Sequence, residues 1–154
     1  RVEGKRENLF IVFTSNKRRE LEDALDRRIS MIREFHFPER SELIEQVKMM
    51  VNVDFNETKF HFVIDLALEY RKLNVMKKPS QNQIADLINE LDFIEKRSKA
   101  NKATARVLKY RAMFWKFSQE PDDHKVFESF LKKKFSGKSK DTGLRYLNYV
   151  GSMI

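Results

Sequence analysis

The sequence predicts a mainly α-helical chain, a helical bundle preceded by the last β-α-β piece of an α/β domain. Three observations carry this. Glycine and proline are scarce, at 4 and 3 of 154 residues, which favours long uninterrupted helices. After Pro38 the apolar residues recur at helical spacing in five successive segments. Strand-like runs occur only before Pro38.

The first of those runs is Leu9-Phe10-Ile11-Val12-Phe13, followed by the polar triplet Thr14-Ser15-Asn16. A continuous apolar run rich in β-branched and aromatic residues reads as a strand covered on both faces of a parallel sheet. From about Lys17 to Ile29 the pattern turns helical, with Leu21, Ala24, Leu25 and Ile29 on one face. Ile32 to Phe37 then mixes apolar and polar residues and stops at Pro38, as a partly covered strand near a sheet edge does. Two strands cannot cover a doubly buried one. The expectation is therefore that the rest of the sheet precedes Arg1 in a longer chain.

Beyond Pro38, Ser41 is placed to cap a helix carrying Leu43, Ile44, Val47, Met50 and Val51. Asp54 with Glu57 has capping-box spacing for a second helix, with Phe60, Val63, Ile64, Ala67 and Leu68 inward. The loop Asn74 to Pro79 ends it. Ser80 with Gln83 repeats the capping box, and Ile84, Leu87, Ile88, Leu91 and Ile94 mark one face of a third helix. A fourth runs from about Ala103 to Phe117. A fifth starts at Asp122 or Asp123, with Val126, Phe127, Phe130 and Leu131 facing inward. Ser136 to Lys140 reads as a turn, and the tail from Asp141 to Ile154 as a final short helix. The domain organisation is thus residues 1–38, an α/β remnant; 39–118, a helical domain; and 119–154, a helical extension.

Composition narrows the function classes. No cysteine is present, so disulfides and cysteine-ligated zinc are excluded. No apolar run reaches the roughly 20 residues a membrane span needs, and Arg1 to Asn8 lacks the apolar stretch of a signal peptide. The cytoplasm is the expected compartment. The net charge of +8 points to an anionic partner, whether nucleic acid, the phosphates of a nucleotide or an acidic protein. The charge is spread along the chain, which weighs against nucleic acid.

His36, His61 and His124 are isolated in sequence and form no metal-ligand spacing, so no metal site is expected among these residues. Phe114, Trp115 and Phe117 sit beside Lys109, Arg111 and Lys116. That mixture can stack bases, yet at helical spacing it reads better as a core face with a solvated flank. The more informative position is Asn16, at the carboxyl end of a strand, where ligands bind in open parallel sheets. Its amide can orient a water; equally, Thr-Ser-Asn suits a plain strand-end turn. Arg27 and Arg28, one helix later, suit a helix C-terminus or a charge reaching a bound anion.

Taken together, the stretch LFIVFTSNKRRELEDALDRRISMIREFHFPE resembles the sensor 1 strand, following helix and last strand of AAA+ ATPases. It is most similar to the MoxR-type group, which shows a TSN…ELxDAL.RR arrangement there. The segment RKLNVMKKPSQNQIADLINEL resembles the R…L…KPPS…AETIDWA stretch of that family's lid, and the likeness covers Asn8 to about Ile94. The resemblance implies that residues 1–38 close an α/β nucleotide-binding domain and that 39–118 form its lid. It implies that Asn16 positions the hydrolytic water near the γ-phosphate. Arg27, or Arg28 as the alternative, becomes the arginine finger that reaches a neighbouring subunit's site. Lys78 takes the place of the sensor 2 arginine, without the bidentate fork an arginine supplies.

The resemblance further implies ATP and Mg2+ as cofactors of the full-length protein, with none bound by this chain alone. It also implies self-association into a ring, a hexamer, acting on protein complexes. No GxxxxGK[ST] loop and no strand ending in an acidic pair occurs in these residues, so this chain by itself is expected to be inactive. The alternative is a basic helical module that binds nucleic acid or protein without ATP, through Lys132-Lys133-Lys134 and the surroundings of Trp115. A helical scaffold domain is the third reading.

Overall fold

The computed structural model describes Val12 and residues 36–98, 101–135 and 144–154. The chain divides into two units, Arg1–His36 and Phe37–Ile154, and the elements described below belong to the second. They are six helices: α1 (Arg40–Met50), α2 (Glu57–Arg71), α3 (Gln81–Arg97), α4 (Lys102–Phe117), α5 (Pro121–Phe135) and α6 (Leu144–Met153). No strand occurs among the described residues, as the five helical patterns require. Of the expected first strand only Val12 is described, and it is exposed in irregular backbone. The last two residues of the second, His36 and Phe37, are likewise irregular. The remainder of both strands and the helix between them lie outside the described residues.

The helix starts show which local signals govern. Ser80 accepts a hydrogen bond from the Gln83 N–H, and the Gln83 side chain accepts from the Ser80 N–H at 2.7 Å, so α3 begins with the expected capping box. α1 starts earlier than Ser41. Glu39 is its N-cap and donates its N–H to the Glu42 carboxylate at 3.3 Å. Arg40 then engages Asp65 of α2 at 2.7 Å, which fixes the first turn against its neighbour. α2 starts later than Asp54. The Asn56 side chain caps the Lys59 N–H at 3.1 Å, because Glu57 is drawn to Lys48 at 2.7 Å and does not turn back on residue 54. α5 opens with Pro121, Asp122 and Asp123 and closes with three lysines, which suits the helix dipole at both ends.

One core unites the helices. Leu43 and Val47 of α1, Val63, Ile64 and Ala67 of α2, and Ile84, Leu87, Ile88 and Leu91 of α3 are wholly buried. Met50, expected inward, is 41% exposed, since it is the last residue of α1 and lies past the end of the buried stripe. Tyr70 gathers the other end of the core. Its ring meets Phe127 edge-on at 4.8 Å and stacks on Phe117 at 6.4 Å. α6 lies directly on α4. A Cβ added at Gly151 would stand 2.0 Å from the Arg106 carbonyl oxygen, so only glycine permits that approach.

Candidate functional site

The loop between α2 and α3, residues 72–80, carries Lys78 and is held from two sides. Asp123, buried in the first turn of α5, accepts the backbone N–H groups of Met76 at 2.8 Å and Lys77 at 3.0 Å. On the other side the Arg71 Nε donates to the Pro79 carbonyl at 2.8 Å. Lys78 therefore sits between two anchored backbone groups while its own side chain is exposed. A charged group on a fixed backbone, free at its tip, is well made for meeting an anion.

Arg71 is the unusual member of this site. It is only 5% exposed, and both terminal guanidinium nitrogens are buried without a hydrogen-bond partner among the described residues. Burial lowers its pKa from the ordinary value, the direction expected when a cation loses water. The Phe37 ring stacks over the guanidinium at 4.6 Å, a partial compensation. A buried donor left unpaired costs about 1–3 kcal/mol, more when charged. Two such donors on one side chain mark a place where stability has been given up.

Other expected features are dispersed. Asn16, Arg27 and Arg28 lie outside the described residues. Phe117 is in the core, Trp115 is 57% exposed, and Lys109 is buried against Glu95 at 2.9 Å. Lys116 faces Asp86 at 3.5 Å. Phe117 and Lys109 thus lie on the buried side of α4, whereas Arg111 and Trp115, one turn apart, are exposed. Among Lys132, Lys133 and Lys134, the last pairs with Glu69 of α2 at 2.6 Å. His61 stands 3.4 Å from Glu57, and the His124 ring packs against Phe114 and Trp115. Among the described residues no three His, Cys, Asp or Glu side chains converge as metal ligands, and no helix is long and apolar enough to cross a membrane.

The sequence placed Lys109 only in the mixed face of α4 and Asp123 only at a helix start, and assigned Arg71 no role, although a signal for their burial existed. Each falls in phase with an apolar stripe. Arg71 continues Phe60, Val63, Ile64 and Ala67; Asp123 precedes Phe127 and Leu131; Lys109 lies between Ala105 and Met113. A charge in phase with a buried face must either find a partner or be held at a cost. No family model, no curated protein and no solved structure matches this chain.

Proposed function

We propose that the chain is the sensor and lid portion of a MoxR-type AAA+ ATPase that couples ATP hydrolysis to remodelling or assembly of protein complexes. The observation that carries this reading is the order of two sequence blocks, TSN…ELEDALDRR and then RKLNVMKKPSQNQIADLINEL. The capped start of α3 at Ser80 and the helical character of the following segments support it. In this reading Asn16 orients the attacking water, and Arg27, with Arg28 as the alternative, stabilises charge on the transferred phosphoryl group in a neighbouring subunit. Lys78 supplies the sensor 2 charge. ATP, when bound, brings the phosphoanhydride to be cleaved. Mg2+, in this reading, is held by one or two carboxylates together with the phosphates of ATP.

The test uses the full-length ring. Arg27→Ala should lower turnover while leaving ATP binding nearly unchanged, since a finger acts on transition-state charge. Mixing with subunits that keep Arg27 but carry an inactivated phosphate loop should restore part of the rate. If Arg27→Ala instead lowers melting temperature and nucleotide binding together, and mixing restores nothing, the arginine is structural and the reading fails.

A further inference from the structure

A second cluster of charge lies where α3, α4 and α6 meet, and it shares no residue with the 72–80 loop. There a cavity of about 390 Å³ is lined by Lys59, Lys102, Arg106 and Lys109, with Glu95 as the one acidic side chain among the described residues and Gly151 on the wall. Four cations thus face one carboxylate. That carboxylate is already engaged: Lys59 reaches both its oxygens, at 2.9 and 2.7 Å, and Lys109 reaches one at 2.9 Å. Lys109 also donates to the Ile154 backbone oxygen at 3.2 Å. Lys102 and Arg106 are exposed and have no acidic partner among the described residues.

The placement of those two charges is electrostatically adverse. Lys102 is the first residue of α4, and the first turn of that helix contains no acidic side chain. Arg106 follows one turn later on the same wall. The start of a helix carries about half a positive charge, which cations oppose and anions satisfy. α5 shows the ordinary solution, with Asp122 and Asp123 in its first turn. In α4 the dipole, Lys102 and Arg106 instead add to one another beside a concavity. Gly151 lets α6 pack directly on the α4 backbone at Arg106, which holds the two helices together at this wall.

We propose that this cavity binds the phosphoryl group of a small phosphorylated molecule, with Lys102 and Arg106 as its principal contacts and Lys59 and Lys109 behind them. A phosphomonoester dianion matches the charge better than a carboxylate, because the uncompensated charge exceeds one. Arg106 offers the planar fork that takes two phosphate oxygens at once, and Lys102 a point charge at the rim. Lys109 and Glu95 hold the floor: their ion pair fixes the position of Lys59, so the cavity keeps its shape before a ligand arrives.

The experiment titrates the whole chain with inorganic phosphate and, separately, glycerol phosphate, following backbone amide resonances and heat of binding. Saturable shifts should centre on the Ser98, Gly151 and Ser152 amides. Lys102→Gln with Arg106→Gln should weaken phosphate binding by about tenfold or more, equivalent to about 1.4 kcal/mol or more. The melting temperature of the free double variant should equal or exceed that of the parent, since repulsion at the helix start is relieved. Lys132→Gln, on a different helix, should bind phosphate as the parent does. Non-saturating shifts spread over all lysines would overturn the proposal, as would equal binding by the double variant. Tight, salt-sensitive binding of a single-stranded oligonucleotide without saturation by phosphate would overturn it in favour of nucleic acid.

Discussion

The Asp123 carboxylate and the backbone N–H of Met76 lie 47 positions apart in the sequence and 2.8 Å apart in the fold. The same carboxylate takes the N–H of Lys77 at 3.0 Å. One buried acid thereby ties α5 to the loop that presents Lys78. Hydrogen bonds to a charged group contribute about 1.5–3 kcal/mol each. Asp123→Ala loses both and should therefore cost about 3 kcal/mol or more, seen as a fall in melting temperature of several degrees. Asp123→Asn keeps one acceptor and should lose roughly half as much. A variant as stable as the parent would mean that the loop is held without Asp123.

Arg71 should behave in the opposite sense. Its burial with two unpaired nitrogens works against the Nε bond to Pro79 and the stack on Phe37. Replacing a poorly compensated buried charge by an apolar chain is often neutral or stabilising. Arg71→Met is expected to stay within about 1 kcal/mol of the parent, by denaturant titration. A loss above about 3 kcal/mol would show the guanidinium to be a structural pin.

The helix starts give a paired comparison. Ser80→Ala removes the α3 cap and should cost about 1 kcal/mol, and Asn56→Ala should do the same at α2. Ser41→Ala should be neutral or slightly stabilising, because Ser41 lies inside α1 and alanine is the better helix former. Thermal melts of the three single variants decide this. A costly Ser41→Ala would restore Ser41 as a cap.

Alkaline titration probes the core directly. Burial pushes Tyr70 up to about 12, helped by the nearby Asp123 charge. Ser118 pulls the other way, although neither hydroxyl completes a hydrogen bond of normal geometry. Burial also pushes Tyr110 up to about 12, with Glu128 adding to it. In the unfolded chain both ionise near 10. The folded state then holds more protons than the unfolded state between about 10 and 12, so stability falls as pH rises through that window. Below 10 this contribution is fully present. Phenolate absorbance should show Tyr70 and Tyr110 ionising late, and Tyr70→Phe should flatten part of the alkaline loss of stability. Ionisation of both near 10 with the fold intact would contradict this burial.

The sequence by itself determined the helices beyond Pro38, most of their inward faces and the cap at Ser80. Those features follow from neighbours three or four positions away, and the signals at Ser80 and Gln83 had no competitor. At α1 a competing local signal, the box between Glu39 and Glu42, set the start, and at α2 a partner from another helix intervened. Glu57, needed to close a box on Asp54, is taken by Lys48, and Arg40 is held by Asp65. Only the tertiary structure could decide the candidate sites. Asp123 and Met76 meet because α5 folds back on the α2–α3 loop, and Lys59, Glu95 and Lys109 converge from three helices. Periodicity reports which face of a helix is inward; it does not report which charges that face brings together. The charge of Arg71, Asp123 and Lys109 was legible, but whether each finds a partner depends on chain segments far away in sequence. Burial then makes that pairing matter, because a charge out of water must be matched or held at a cost.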